Sequence, residues 1–131
     1  MMGLPGSGKT TWAMRWIAAH PDYVRINNDA IRWALFRERY NPETETAIKQ
    51  ARVRLMREAL GQGKSLVIDN CNITVPSKRE IIAIAAEFGA TTRVVSLLGV
   101  DVRECIRRDR LRPYPVGATV IRMFARTAGV G

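Results

Sequence analysis

Residues Gly3 to Thr10, GLPGSGKT, fit the pattern G-x-x-x-x-G-K-[S/T]. Glycines at 3, 6 and 8 let the backbone turn so that successive N–H groups point inward at phosphate oxygens. A helix beginning near Lys9 adds the positive end of its dipole. The stretch Gly3, Pro5, Gly6, Ser7, Gly8, Lys9, Thr10 and Thr11 is therefore a candidate phosphate-binding set. In such a loop Lys9 spans the β and γ phosphates. The Thr10 hydroxyl binds a Mg2+ that bridges them and neutralises charge developing during transfer.

A second group stands in INNDAIRWALF, residues 26–36. Asp29 follows a short strand signal and Arg32 comes three residues later, on the same side of a helix. A carboxylate there can accept the proton of an attacking hydroxyl while the arginine holds an anionic part of the acceptor. The plainer alternative is an acidic residue complementing a helix N-terminus and pairing with Arg32. Asp69 closes the strand signal SLVID. It reads either as a carboxylate reaching Mg2+ through water or as a polar strand end. Trp12 and Trp16, one turn apart, read as core. Trp33 has two readings, core packing or a stacking surface for a nucleobase, and core packing is the one expected.

These residues need elements to position them. Apolar residues at 12, 13, 16 and 17 predict a helix from Thr10 to His20. YVRI (23–26) predicts a strand, with Asn28 capping a helix from Asp29 to about Tyr40. A longer helix is expected from about Glu43 to Leu60, then the buried strand 65–69. Next come a helix opened by Pro76 and closed by Gly89, a strand over 91–98, a helix from Asp101, a Pro- and Gly-marked loop, and a last helix from Ala118 to Arg126. Alternation of this kind predicts a parallel sheet with helices on both faces, and ligands bind at the carboxyl ends of its strands. The rule puts residues 3–10, 27–29 and 69–72 along one edge. A buried central strand should precede the glycine-rich loop, yet only Met1 and Met2 stand there. The expectation is a truncated first strand, from a chain beginning downstream of its native start, or another segment filling the gap.

At 131 residues the chain is read as a single domain, 1–131. No apolar run is long enough to span a bilayer and no leader pattern opens the chain, so the expected location is cytoplasmic, without a membrane partner. Cys71 and Cys105 lack metal-ligand spacing and read as structural filler. The net charge of +9 invites a polyanion, with seven arginines between Arg103 and Arg126. Arginine-rich, alanine-rich composition explains the same charge without function, and both readings stay open. Nothing matches the N-K-x-D guanine-reading motif, which argues against a GTPase.

GLPGSGKTTWA, INNDAIRWALF, VIDNCNIT and IRRDRLRP, in this order and spacing, resemble the 5′-hydroxyl polynucleotide kinase family of P-loop phosphotransferases, from Gly3 to about Arg126. The resemblance implies a P-loop NTPase three-layer α/β sandwich with an Arg-bearing helical lid at about 101–117. It implies ATP and Mg2+ at Lys9 and Thr10, with Asp69 reaching the metal. Asp29 would be the general base on the 5′-OH of a nucleic acid end, Arg32 would hold a phosphate of the acceptor strand, and Asn72 would lie on the substrate side. Arg112 would clamp the donor phosphates, with Arg108 beside it and less expected in that role. Family members often carry a phosphatase domain and none is found here, so phosphorylation of ends without removal of end phosphates is expected. The rival readings are a zeta-toxin-like or small-molecule kinase and a non-catalytic nucleotide-binding module.

Overall fold

The computed structural model of the chain describes residues 1–38 and 40–131. Strands β1 (Tyr23–Ile26) and β2 (Ser65–Ile68) pair in parallel, Tyr23 opposite Ser65 and Ile26 opposite Ile68. Parallel neighbours need a long crossover, and helices α2 (Asn28–Phe36) and α3 (Glu45–Gly61) supply it. Sheet hydrogen bonding continues beyond β2. The Met1 amino group donates to the Ile68 carbonyl at 2.9 Å and the Gly3 N–H to the Cys71 carbonyl at 3.2 Å. On the far side Met2 bridges Ser96 in parallel. Its N–H donates to Val95 at 2.9 Å and its carbonyl accepts from Leu97 at 2.7 Å. The order across the sheet is β1, β2, residues 1–3, residues 95–97, so Met1 and Met2 take the central place that opens into the glycine-rich loop.

The strand expected over 91–98 is reduced to that one bridge. A ladder lengthens only while both partners run side by side, and the chain leaves the sheet at Gly3 to form the loop. Other boundaries moved for local reasons. Asn27, not Asn28, caps α2, its side chain accepting from Ala30 N–H at 2.8 Å. The helix stops at Phe36 rather than near Tyr40 because Arg37 turns left-handed (φ 53°) with its N–H on the Trp33 carbonyl. Arg39, within the expected span, lies outside the described residues. Asn41 engages Glu43 and Thr44 in a turn, which delays α3 to Glu45.

Helix α1 (Lys9–Ala19) lies on the sheet face to which Tyr23 and Arg25 point. Val24 and Ile26, alternating with them, face the opposite layer. There they join Leu66, Ile68, Ile31, Ile48, Met56 and Ile84 in a core covered by α3 and α4 (Val75–Glu87). Burying a side chain such as Ile48 or Met56 stabilises the fold by about 1.5–3 kcal/mol. A second core joins Leu4 of the loop to Cys105 and Ile106 of α5 (Val102–Arg110) and to Ile121 and Ala125 of α6 (Ala118–Ala128). Trp12 and Trp16 do not enter either core. They stack on each other half-buried at 5.3 Å, and Trp16 meets His20 and Tyr23 where α1 crosses β1.

Candidate active site

The loop is held by close approach from both sides. Gly6 has φ +82°, and a Cβ there would run into the Cys105 carbonyl oxygen at the heart of α5. At Gly3 a Cβ would stand 2.5 Å from Ser7 Oγ and 3.3 Å from Leu97 Cβ. Glycine is required at Gly6 on both counts, conformation and space. Leu4, 1% exposed, pins the loop into the second core. Gly8 (φ 98°) starts α1, and Lys9 extends from its first turn with Nζ donating to the Leu4 carbonyl at 2.9 Å. That contact closes the lysine over the loop into which phosphate would bind.

Behind Lys9 lies a buried acid. Asp69, 1% exposed, follows β2 directly. Its Oδ2 accepts from Thr10 Oγ1 at 3.0 Å and from Arg25 Nε at 2.8 Å, and Arg25 also reaches Thr10 Oγ1 at 3.4 Å. Asp69 Oδ1 is buried with no hydrogen-bond partner among the described residues. A buried carboxylate oxygen normally has one. A free carboxylate oxygen beside a hydroxyl at the end of a phosphate loop fits Mg2+, which takes one or two protein oxygens and keeps the rest for phosphate and water. Thr10 and Asp69 are the residues that would hold it. Among the described residues no group of three or more His, Cys, Asp or Glu side chains is gathered for a metal. Arg25 escaped the sequence reading. Its signal was the period-two alternation of YVRI, which turns 25 away from the core and toward the strand-end acid.

On the acceptor side Asp29 sits in the first turn of α2 with its side chain 76% exposed. Arg32 is 6% exposed and paired with Asp29 at 2.5 Å and Glu45 of α3 at 2.8 Å. Its guanidinium also lies 5.7 Å from the centre of the Tyr40 ring. The geometry therefore gives Arg32 two carboxylate partners, and holding an acceptor phosphate finds no support in it. Asn72 lies in a left-handed conformation (φ 50°) with its amide on the Met1, Asn70 and Ile68 carbonyls at 2.8, 3.2 and 3.3 Å. It braces the sheet edge to the loop. Asn27 does similar work, donating to the Asp69 carbonyl at 2.6 Å, while Asn70 Oδ1 accepts the Asn28 N–H at 2.8 Å.

Cys71 reports how these groups converge. Burial pushes its thiol up, Lys9 pulls it back, and Asp29 and Asp69 add to the rise. One side chain thus feels the loop lysine and both candidate acids. Read from sequence as filler, Cys71 follows the strand-end acid by two residues, its carbonyl accepting the Gly3 N–H at 3.2 Å. Cys105 does act as filler, fully buried in the second core.

The arginine-rich segment divides its work. Arg108 places a guanidinium nitrogen 3.3 Å from the Ser7 carbonyl and 3.6 Å from where a Gly8 Cβ would stand, while its Nε pairs with Glu104 at 2.9 Å. Arg112, expected as the foremost clamp, is 43% exposed and 3.5 Å from Asp109. Of the two, Arg108 is the one brought onto the loop. Asp109 shapes the segment: it is 1% exposed and accepts the Val116 and Gly117 N–H groups at 3.0 Å each, closing residues 110–117 into a compact turn.

A family model described as an AAA domain matches residues 1–126. The bifunctional polynucleotide phosphatase/kinase of Schizosaccharomyces pombe (strain 972 / ATCC 24843) is 34% identical over 97 residues, 74% of this chain and 20% of that protein. Among solved structures, a chain of the Pnkp1/Rnl/Hen1 RNA repair complex superimposes with a TM-score of 0.84 at 23% identity, covering 98% of this chain and 42% of that one. A second structure, of the Pnkp1/Rnl/Hen1 complex, gives 0.73 at 26% identity over 82% and 36%. This chain thus spans about a fifth of its curated relative and roughly two fifths of the structural ones. The parallel sheet opening centrally into a glycine-rich loop is the P-loop NTPase fold, and the chain belongs to the AAA domain family.

Proposed function

We propose that this chain transfers the γ-phosphate of ATP to the 5′-hydroxyl end of a polynucleotide. The observation that carries the reading is Asp29: an exposed carboxylate, locked by a buried arginine, at the same strand-end edge as Lys9 and the phosphate loop. In this reading Asp29 takes the proton of the 5′-OH as that oxygen attacks the γ-phosphorus. The new O–P bond forms as the bond to the β–γ bridging oxygen breaks, and ADP leaves. Loop N–H groups and Lys9 hold the donor, and Arg108 and Arg112 meet its charge from the other side. Mg2+ held near Thr10 and Asp69 would supply further charge neutralisation. Arg32 serves as the positioning residue for Asp29.

Support for a polymer acceptor comes from the net charge of +9, from the open setting of α2, and from the names of the relatives. The reading takes cytoplasmic nucleic acid ends as the substrate, DNA or RNA. No helix among the described residues is long and apolar enough to cross a membrane.

The test is transfer of labelled γ-phosphate from Mg·ATP to a 5′-hydroxyl oligonucleotide, beside nucleoside, sugar and nucleotide-sugar acceptors. Label should appear on the oligonucleotide and fall by about 10²–10⁴-fold in Asp29→Asn, with ATP binding intact. Label on a small acceptor alone would select the small-molecule kinase reading. ATP binding without transfer to any acceptor would select the non-catalytic module.

A further inference from the structure

Resting on the reading above, we infer that Trp33 is a stacking platform for the nucleobase of the acceptor's 5′-terminal nucleotide, and so a specificity-determining residue. Core packing, the expected place for this side chain, is not where it lies: Trp33 is 55% exposed. It follows Asp29 by four residues on α2, hence on the same helix face and about 6 Å further along the axis. Phe36, 38% exposed, continues that face by one more turn. Sugar and nucleobase together span a comparable length from a 5′ oxygen, so a hydroxyl presented to Asp29 brings its own base over the indole.

Charge decides the occupant. Arg37 stands exposed at the C-terminal end of the same helix beside an exposed Glu38, so the charge that counts is that of the whole chain, +9. A second copy of so basic a protein is repelled by the field of the whole molecule, whereas a polyanion is drawn to it. A flat, partly exposed indole suits every base, since each has a π-face, and it offers no hydrogen-bond readout. The platform therefore discriminates a nucleotide end from a sugar or a bare phosphate ester without choosing a sequence.

The experiment crosses enzyme with substrate: wild type, Trp33→Ala and Trp33→Phe, each with 5′-hydroxyl oligonucleotides bearing either a base or an abasic sugar at the terminal position. For wild type, loss of the terminal base should raise the acceptor KM roughly ten-fold with kcat little changed. Trp33→Ala should show the raised KM with both substrates, removing the difference between them, and Trp33→Phe should restore part of it. The KM for ATP should not move. Equal KM for the two substrates with wild type, or an unchanged base dependence in Trp33→Ala, would overturn the platform while leaving end-phosphorylation standing. A change in self-association by sedimentation with no change in acceptor KM would overturn it in favour of a protein contact. Failure of wild type to phosphorylate any 5′-hydroxyl end would instead remove the reading on which it rests.

Discussion

The two ends of the candidate site are built to opposite standards. At the donor end Leu4 and Asp69 are each 1% exposed, Gly6 lies against the Cys105 backbone, and a whole second core backs the loop. At the acceptor end Asp29 stands 76% exposed and Trp33 55%, with one buried arginine holding the carboxylate in place. A loop that binds phosphate through its own N–H groups must have its backbone fixed before the ligand arrives, because reorganising it would consume the binding energy. In the proposed reading the other surface receives the end of a polymer and must stay open, so only the reacting group is held. Rigid donor and open acceptor are two answers to ligands of different size and invariance.

The largest effect is expected where the donor end is tightest. Gly6→Ala adds a Cβ against the Cys105 carbonyl and forces alanine into positive φ. Each component costs about 1–3 kcal/mol, so a loss of about 3 kcal/mol in unfolding free energy is expected, read as a lowered urea midpoint, with ATP binding weakened alongside. A variant as stable as wild type would mean that α5 does not brace the loop.

The acceptor end should respond differently. Arg32→Ala leaves Glu45 and Asp29 without their common partner at a cost of about 2 kcal/mol, less than for a wholly buried pair because both acids reach solvent. In steady-state kinetics it should lower kcat while leaving the acceptor KM nearly unchanged, as removal of a positioning residue does. A rise in acceptor KM with kcat preserved would restore the sequence expectation that Arg32 grips an acceptor phosphate.

The smallest effect belongs to the segment over the loop. Glu104 is lowered to about 2 by hydrogen bonds from Arg107 and then Arg108. A carboxylate with a lowered folded pKa contributes stability above its unfolded value near 4.5, and that contribution is lost as pH falls toward about 2. Glu104→Gln should therefore narrow the stability gap to wild type steadily across that window, measured by thermal melts at stepped pH. A gap independent of pH would place the arginines elsewhere than on Glu104.

Much of this was legible before any coordinates. Gly-rich spacing marks the phosphate loop because only glycine tolerates the turn, and the motif is contiguous, so Gly3 to Thr10 could be read as a unit. Asp29 and Arg32 fall on one helix face by period alone. The helices and the two paired strands follow from apolar periodicity and caps, with boundaries shifted by a few residues at Arg37 and Asn41, where local turn bonding prevailed.

What the sequence could not contain was which distant groups meet. Arg25 reaches Asp69 across 44 residues and Arg108 reaches Ser7 across 101, contacts set by strand order and by the packing of α5 on Leu4. Burial was equally out of reach. Arg32, a charge that composition assigns to the surface, is buried, while Trp33, an apolar ring that composition assigns to the core, is exposed. Residue type and spacing determined the phosphate loop and the face on which an acceptor base would stand, because both are local in the chain. Only tertiary structure decided that Arg32 is buried and which arginine lies over the loop, because solvent exposure and long-range pairing depend on how layers close, and no local pattern encodes that.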